Sequence, residues 1–185
     1  MVCESLLVCL LAQGFFQRAD PKIQTLVFHR DQPPYFAKKK VGVLEFPTPA
    51  AGEPGAPSFG DLFHQLLLSE DTANRVAFLE GVSWDREKLT EDQRVTAAAA
   101  YAQARALDVV VLGRVDSLYR RANDGLAVKV TLRVVSAAGG EVLWFGSKQA
   151  DWIRYFPLED CLRTLANSFL DDLLPPAPKT SRQTR

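Results

Sequence analysis

The residue types that could carry out acid–base, nucleophilic or metal chemistry are few in this sequence and widely spaced. There are two histidines, His29 and His64, and three cysteines, Cys3, Cys9 and Cys161. General acid–base work by an imidazole needs a partner that orients the ring, and neither histidine has an obvious one in the sequence. The cysteines are odd in number and match no disulfide framework or zinc spacing. Acidic residues gather late in the chain, at Asp151, Glu159, Asp160, Asp171 and Asp172. Two carboxylates can serve as acid and base, but neighbours on a helix such as Asp171 and Asp172 point to different sides. The group reads as a solvated or partner-facing acidic surface. No Gly-x-Gly-x-x-Gly, no phosphate loop ending in Gly-Lys-Ser/Thr and no Gly-x-Ser-x-Gly elbow is present. The expectation is a protein that is not an enzyme and needs no cofactor or metal.

Charge narrows the partners. Lys plus Arg and Asp plus Glu each total 22 in 185 residues, so the formal charge is zero. A general nucleic-acid binder carries a basic excess, and that class is disfavoured. The length suits one domain with tails, since domains commonly run about 100–150 residues.

The elements that must position any site are organised around 106–147. Val109-Val110-Val111-Leu112 is an unbroken β-branched run, as expected of a strand covered on both faces. After the turn signal Asn123-Asp124-Gly125 the pattern alternates. Leu126, Val128, Val130, Leu132 and Val134 share one face, with Lys129, Thr131 and Arg133 on the other, which predicts a half-solvated antiparallel strand. Gly139-Gly140 then turns into a third strand over 141–147.

Upstream, Val41–Phe46 reads as a first buried strand ended by Pro47 and Pro49. A helix is predicted over 59–69, with Ser58 or Asp61 as its cap. A strand follows at 75–82, then an alanine-rich helix over 90–106 with Thr90 and Gln93 as a capping box. A last helix, 157–174, has Leu158, Cys161, Leu162, Leu165, Phe169 and Leu173 as its core stripe, so Cys161 reads as a small buried hydrophobe. The fold class is α/β (α+β): a mixed β-sheet in the order β-α-β-α-β-β-β-α, with helices packed on the sheet.

The expected organisation is an N-terminal extension over 1–18, a linker over 19–39 with a short extended segment at Thr25–Phe28, one domain over 40–174, and a polar tail over 175–185. The apolar run Ser5–Ala12 has the length of the core of an export signal, yet Glu4 is the charge before it, and Val2 and Val8 precede Cys3 and Cys9 where acylation favours a small residue. A degenerate export signal, with Cys9 or Cys3 as the lipidated residue, stands beside a plain amphipathic N-terminus. The run Lys38-Lys39-Lys40 reads as solvated charge beside a strand.

One aromatic cluster, Trp152, Tyr155 and Phe156, falls where the last strand should hand over to the last helix. Either Trp152 and Phe156 close one end of the core, or the cluster is a surface for a subunit or membrane interface, where an apolar body with a polar edge is favoured.

The wording of the strands, Lys40–Phe46, Ala104–Val115, Val128–Val135 and Gly140–Trp144, resembles the periplasmic outer-membrane lipoprotein superfamily. That group includes the curli-secretion lipoprotein, the penicillin-binding-protein activator and proteins like the TolB N-terminal domain; the size and plan look most like its Pel polysaccharide export branch. The resemblance covers 40–174. It implies a non-enzymatic periplasmic subunit, associated with the outer membrane, that forms a homo-oligomeric ring and works with an outer-membrane export protein. Carried onto this chain, Trp152, with Tyr155 and Phe156, would face the membrane or an interface, and Asp151, Glu159 and Asp160 would form an acidic surface that draws a cationic polysaccharide. The same fold could serve as a protein-binding activator of a cell-wall synthase. A small α/β enzyme is a distant third reading.

Overall fold

A computed structural model of the chain describes residues 21–29, 35–36, 38–44, 57–70, 76–79, 89–122, 124–153 and 155–174. The N-terminal run with Cys3 and Cys9, and the polar tail, lie outside the described residues. Six strands form one mixed sheet: β1 (Lys22–His29), β2 (Val41–Leu44), β3 (Val76–Leu79), β4 (Val109–Arg120), β5 (Leu126–Ser136) and β6 (Val142–Trp152). Three helices accompany them among the described residues: α1 (Phe59–Glu70), α2 (Glu91–Ala104) and α3 (Leu158–Leu173). The spatial order of the strands is β1-β6-β5-β4-β2-β3. β2 runs parallel to both β3 and β4, as strand-helix-strand units require. The long meander β4-β5-β6-β1 is antiparallel throughout. The α+β class and mixed sheet are therefore as the sequence implies.

Three boundaries differ from expectation, and each has a local cause. Lys22–His29, expected within a linker, is an eight-residue edge strand paired with β6 from Lys22↔Asp151 to His29↔Trp144. β4 continues to Arg120 because a bulge at Asp116, between the pairs Val115↔Val130 and Ser117↔Lys129, resets its phase. β6 runs to Trp152 rather than ending near Ser147, because β1 and β5 flank it along its length.

Strand alternation gives the sheet two unlike faces. On the face covered by α1 and α3, Val109, Val111, Val128, Val130, Leu132, Trp144, Ala150 and Trp152 pack with Phe59, Phe63, Leu162, Leu165 and Phe169 into the main core. Phe169 meets both Phe59 and Trp144 edge-on, at 6.0 and 6.1 Å between ring centroids. The Trp144 indole lies along its own strand over Gly146, where a Cβ would stand 2.7 Å from Cζ2; only glycine leaves room for it.

Among the described residues the other face is covered by α2 at one end. There Ala98, Ala99 and Ala102 sit on Leu44, Val110, Leu112 and Val135, and the small side chains let helix and sheet approach closely. The predicted capping box starts this helix: Gln93 N–H donates to Thr90 Oγ1 at 3.3 Å, and Thr90 N–H to Gln93 Oε1 at 2.8 Å. It ends through Ala106 in the left-handed region (φ 53°), with Leu107 N–H donating to Ala102 O at 3.0 Å.

Candidate functional site

The aromatic cluster divides at the end of β6. Residues 144, 146, 148, 150 and 152 share the covered face, so Trp152 points into the core, 3% exposed, and stacks on Phe156 at 6.3 Å. Of the two readings of the cluster this is the one in which Trp152 and Phe156 close an end of the core, and it corrects the outward-facing role that the resemblance implies for Trp152: a strand that runs five residues beyond its expected end carries that side chain inward. Its Nε1 has no hydrogen-bond partner among the described residues. The outward-facing residues are its neighbours. Ile153 is 74% and Tyr155 64% exposed, and the Arg120 guanidinium lies 5.5 Å from the Tyr155 ring centroid. Phe156 is half-buried between the two environments. This corner joins an apolar surface, a phenol edge and a cation, the combination that gains at a boundary between water and an apolar phase.

The three candidate carboxylates are not brought together. Asp151 alternates with the core-facing Ala150 and Trp152, so it lies on the opposite face, where Arg121 pairs with it at 2.6 Å. Glu159 and Asp160 lie in the first turn of α3, favourably placed for the helix dipole, and Glu159 is paired with Arg163 at 2.8 Å. Asp151 and Glu159 are thus each neutralised by an arginine, and the α3 pair is separated from Asp151 by the thickness of the sheet.

Sequence reasoning missed a polar network on the open face. Glu91, first residue of α2, is the hub: its carboxylate meets Arg94 at 3.3 Å, Arg114 at 3.1 Å and Arg133 at 2.5 Å. The bulge residue Asp116 takes Arg114 Nε at 2.5 Å on one oxygen and the Thr131 hydroxyl at 2.5 Å on the other. The Arg133 guanidinium also lies 5.3 Å from the Phe145 ring centroid. The contacts that join different elements, Thr131 to Asp116 and Arg114 and Arg133 to Glu91, span 15 to 42 positions in the chain, so no short motif could announce them; the alternation that puts Thr131 and Arg133 on one side of β5 was the available signal. Two carboxylates thus bridge three guanidiniums, which makes the network a clamp holding the start of α2 to the sheet.

The remaining reactive groups are structural. Lys148, 3% exposed on the covered face, donates to Ser168 O at 2.5 Å and Ser168 Oγ at 2.6 Å. Its Nζ also stands 2.8 Å from Asp172 Oδ2, close enough for ion pairing though not aligned as a hydrogen bond. The last turn of α3 has no basic residue of its own, so Lys148 supplies the positive charge that this negative helix end favours. Burial pushes the Cys161 thiol up to about 12, with Asp160 adding to the effect; such a thiol is not a nucleophile at neutral pH. Burial lowers the pKa of His64, against the pull of Asp61. The side chain of His29 lies outside the described residues. Among the described residues no group of three His, Cys, Asp or Glu side chains could hold a metal, and no helix is long and apolar enough to cross a membrane.

No protein-family model matches the chain, and no curated protein matches it in sequence. Solved structures do. A PelC dodecamer from Paraburkholderia phytofirmans superimposes with a TM-score of 0.62, covering 84% of this chain and 99% of that one at 17% identity. A methionine-substituted PelC dodecamer from the same organism gives a TM-score of 0.59, covering 83% and 97% at 16% identity. The lipoprotein GNA1162 from Neisseria meningitidis aligns over 70% of this chain and 94% of its own at 16% identity, with a TM-score of 0.40, too distant to bear on the reading. At these identities the likeness is one of fold.

Proposed function

We propose that this chain is a non-enzymatic, cell-envelope assembly factor: a periplasmic, outer-membrane-associated subunit that joins copies of itself and assists polysaccharide export through an outer-membrane partner. The observation that carries the reading is the end-to-end fold likeness to PelC, a protein that assembles as a dodecamer. The exposed corner of Ile153 and Tyr155 beside Arg120 supports it, because a lone surface isoleucine–tyrosine pair next to a cation gains most at a membrane or subunit boundary. Tyr155, with Ile153, takes the role first expected of Trp152. The first turn of α3, with Glu159 and Asp160, is the remaining candidate for contact with a cationic polymer.

The test is made in the native host. Fractionation places the protein in the envelope fraction and cross-linking gives a ladder of homo-oligomers; deletion lowers exported polysaccharide and the wild-type chain restores it. Ile153→Ser with Tyr155→Ala reduces the envelope-bound fraction and leaves the circular dichroism melt unchanged. A cytosolic monomer whose loss leaves polysaccharide export intact would overturn the proposal.

A further inference from the structure

Although the chain is formally neutral, its charge is divided between two layers. Strands β1, β4, β5 and β6 together hold six Lys and Arg residues against two acids, Asp116 and Asp151. Helices α1 and α3, on the covered side, hold six acids against the single basic residue Arg163. Four of the six strand cations, Lys22, Arg114, Lys129 and Arg133, alternate onto the open face; there Arg114 and Arg133 are already bonded to Asp116 and to Glu91 of α2, and Asp151 is bonded to Arg121, which leaves the two lysines. Lys22 and Lys129 are exposed and have no acidic partner among the described residues. On the outer side of the helices Glu70 and Asp171 are likewise exposed and without a cationic partner among the described residues.

Apolar surface follows the same division. On β1, Leu26 and Phe28 share the open face with Lys22 and are 65% and 61% exposed. The pairing Phe28↔Phe145 continues this patch onto β6. β1 is also the edge of the sheet, with one of its two backbone edges unpaired. An exposed edge with large apolar side chains is a surface that natural proteins cover. The helix layer offers a counterpart in Leu68, 39% exposed on α1.

Deepening the self-assembly reading above, on which it rests, we infer that the open face at β1, β6 and β5 docks onto the α1–α3 helix layer of a second copy of this chain, front to back. Lys22 and Lys129 meet the acidic helix surface that includes Glu70 and Asp171, and Leu26 and Phe28 become buried. Two open faces packed on each other would set lysine against lysine, which charge repulsion opposes. Front-to-back contact uses two different surfaces and leaves one of each free on the outermost copies, so it adds further copies, as a ring where the rotation between copies closes and as a filament where it does not.

The experiment is a charge swap on the full chain, read by light scattering after size exclusion, with thermal melts to confirm folding. The wild type is oligomeric and shifts toward monomer as salt rises, because the pairing is exposed to screening. Lys22→Glu with Lys129→Glu is a folded monomer, and so is Glu70→Lys with Asp171→Lys. All four substitutions in one chain restore the oligomer, since both surfaces have changed sign together. Leu26→Ser with Phe28→Ser, at positions already solvated in the monomer, also dissociates it to a monomer that still melts cooperatively. A monomeric wild type would overturn both the self-assembly reading and this interface. An oligomeric wild type with unaffected charge pairs, or with no restoration in the fourfold variant, would overturn the interface alone.

Discussion

The same sheet is held in two different ways on its two faces. On the covered face the neighbours are apolar and close-packed, and the buried cation Lys148 is pinned by Ser168 and Asp172. On the open face most positions meet water, and the contacts that matter are ion pairs and hydrogen bonds radiating from Glu91 and Asp116. Core packing gains several kcal/mol per large side chain, whereas solvated ion pairs contribute about 0–1 kcal/mol each. Stability should therefore reside on one face, and the other is free to serve recognition.

The largest break in that comparison comes at the aromatic corner. Trp152→Ala removes a buried indole stacked on Phe156 and should cost about 3–5 kcal/mol, seen as a lower midpoint in urea denaturation. Tyr155→Ala, three residues away but 64% exposed, should change stability by less than about 0.5 kcal/mol. Equal losses would mean that Tyr155 is part of the core after all. Next in size is a pair of lysines on adjacent strands. Lys148→Ala leaves a cavity and strips the acidic end of α3 of its cation, and about 2 kcal/mol should be lost; Asp172, one-third exposed, keeps its access to water and limits the damage. Lys129→Ala, on the opposite face, should be close to neutral by the same denaturation assay.

These two faces were unequally legible in the sequence. The meander could be read because β5 alternates without interruption from Leu126 to Val134, and because the turns at Asp124-Gly125 and Gly139-Gly140 bound it. The capping box at Thr90 was legible for the same reason: its partners lie three residues apart. β1 was legible only as the short extended segment Thr25–Phe28, because an edge strand with Leu26 and Phe28 on its open face and a threonine on its inner one shows little hydrophobic contrast between its sides. The end of β6 was hidden by Lys148, which looks like a solvent signal until Ser168 and Asp172, at least twenty residues later, give it partners. That hidden end decided the candidate site. Placing Trp152 inside or outside depends on whether the strand is still running when it arrives, and strand alternation alone then fixes the answer.

A smaller effect tests the open face. Glu91→Gln removes the charge that three arginines share and should lower stability by about 1 kcal/mol, counting its place at the α2 N-terminus. Because Glu91 is 40% exposed, the loss should shrink in 0.5–1 M salt, at roughly 3–4 Å screening length. The Lys148→Ala loss should persist there, its cation being shielded from solvent ions. If salt leaves the Glu91 effect untouched, the network is a buried one and the contrast between the faces is weaker than the geometry implies.

The smallest effect is a pH dependence on the covered side. His64 on α1 has its pKa lowered, chiefly by burial, with Asp61 opposing the shift. The unfolded chain therefore binds a proton at a pH where the folded chain does not. By linkage, stability is full above the unfolded value near 6.5 and falls as pH drops through the folded value below it. A His64→Gln variant, which cannot take up that proton, should flatten the slope of unfolding free energy in this window and leave the slope at pH 7–8 unchanged. A slope that survived in His64→Gln would place the sensitive group elsewhere than on α1.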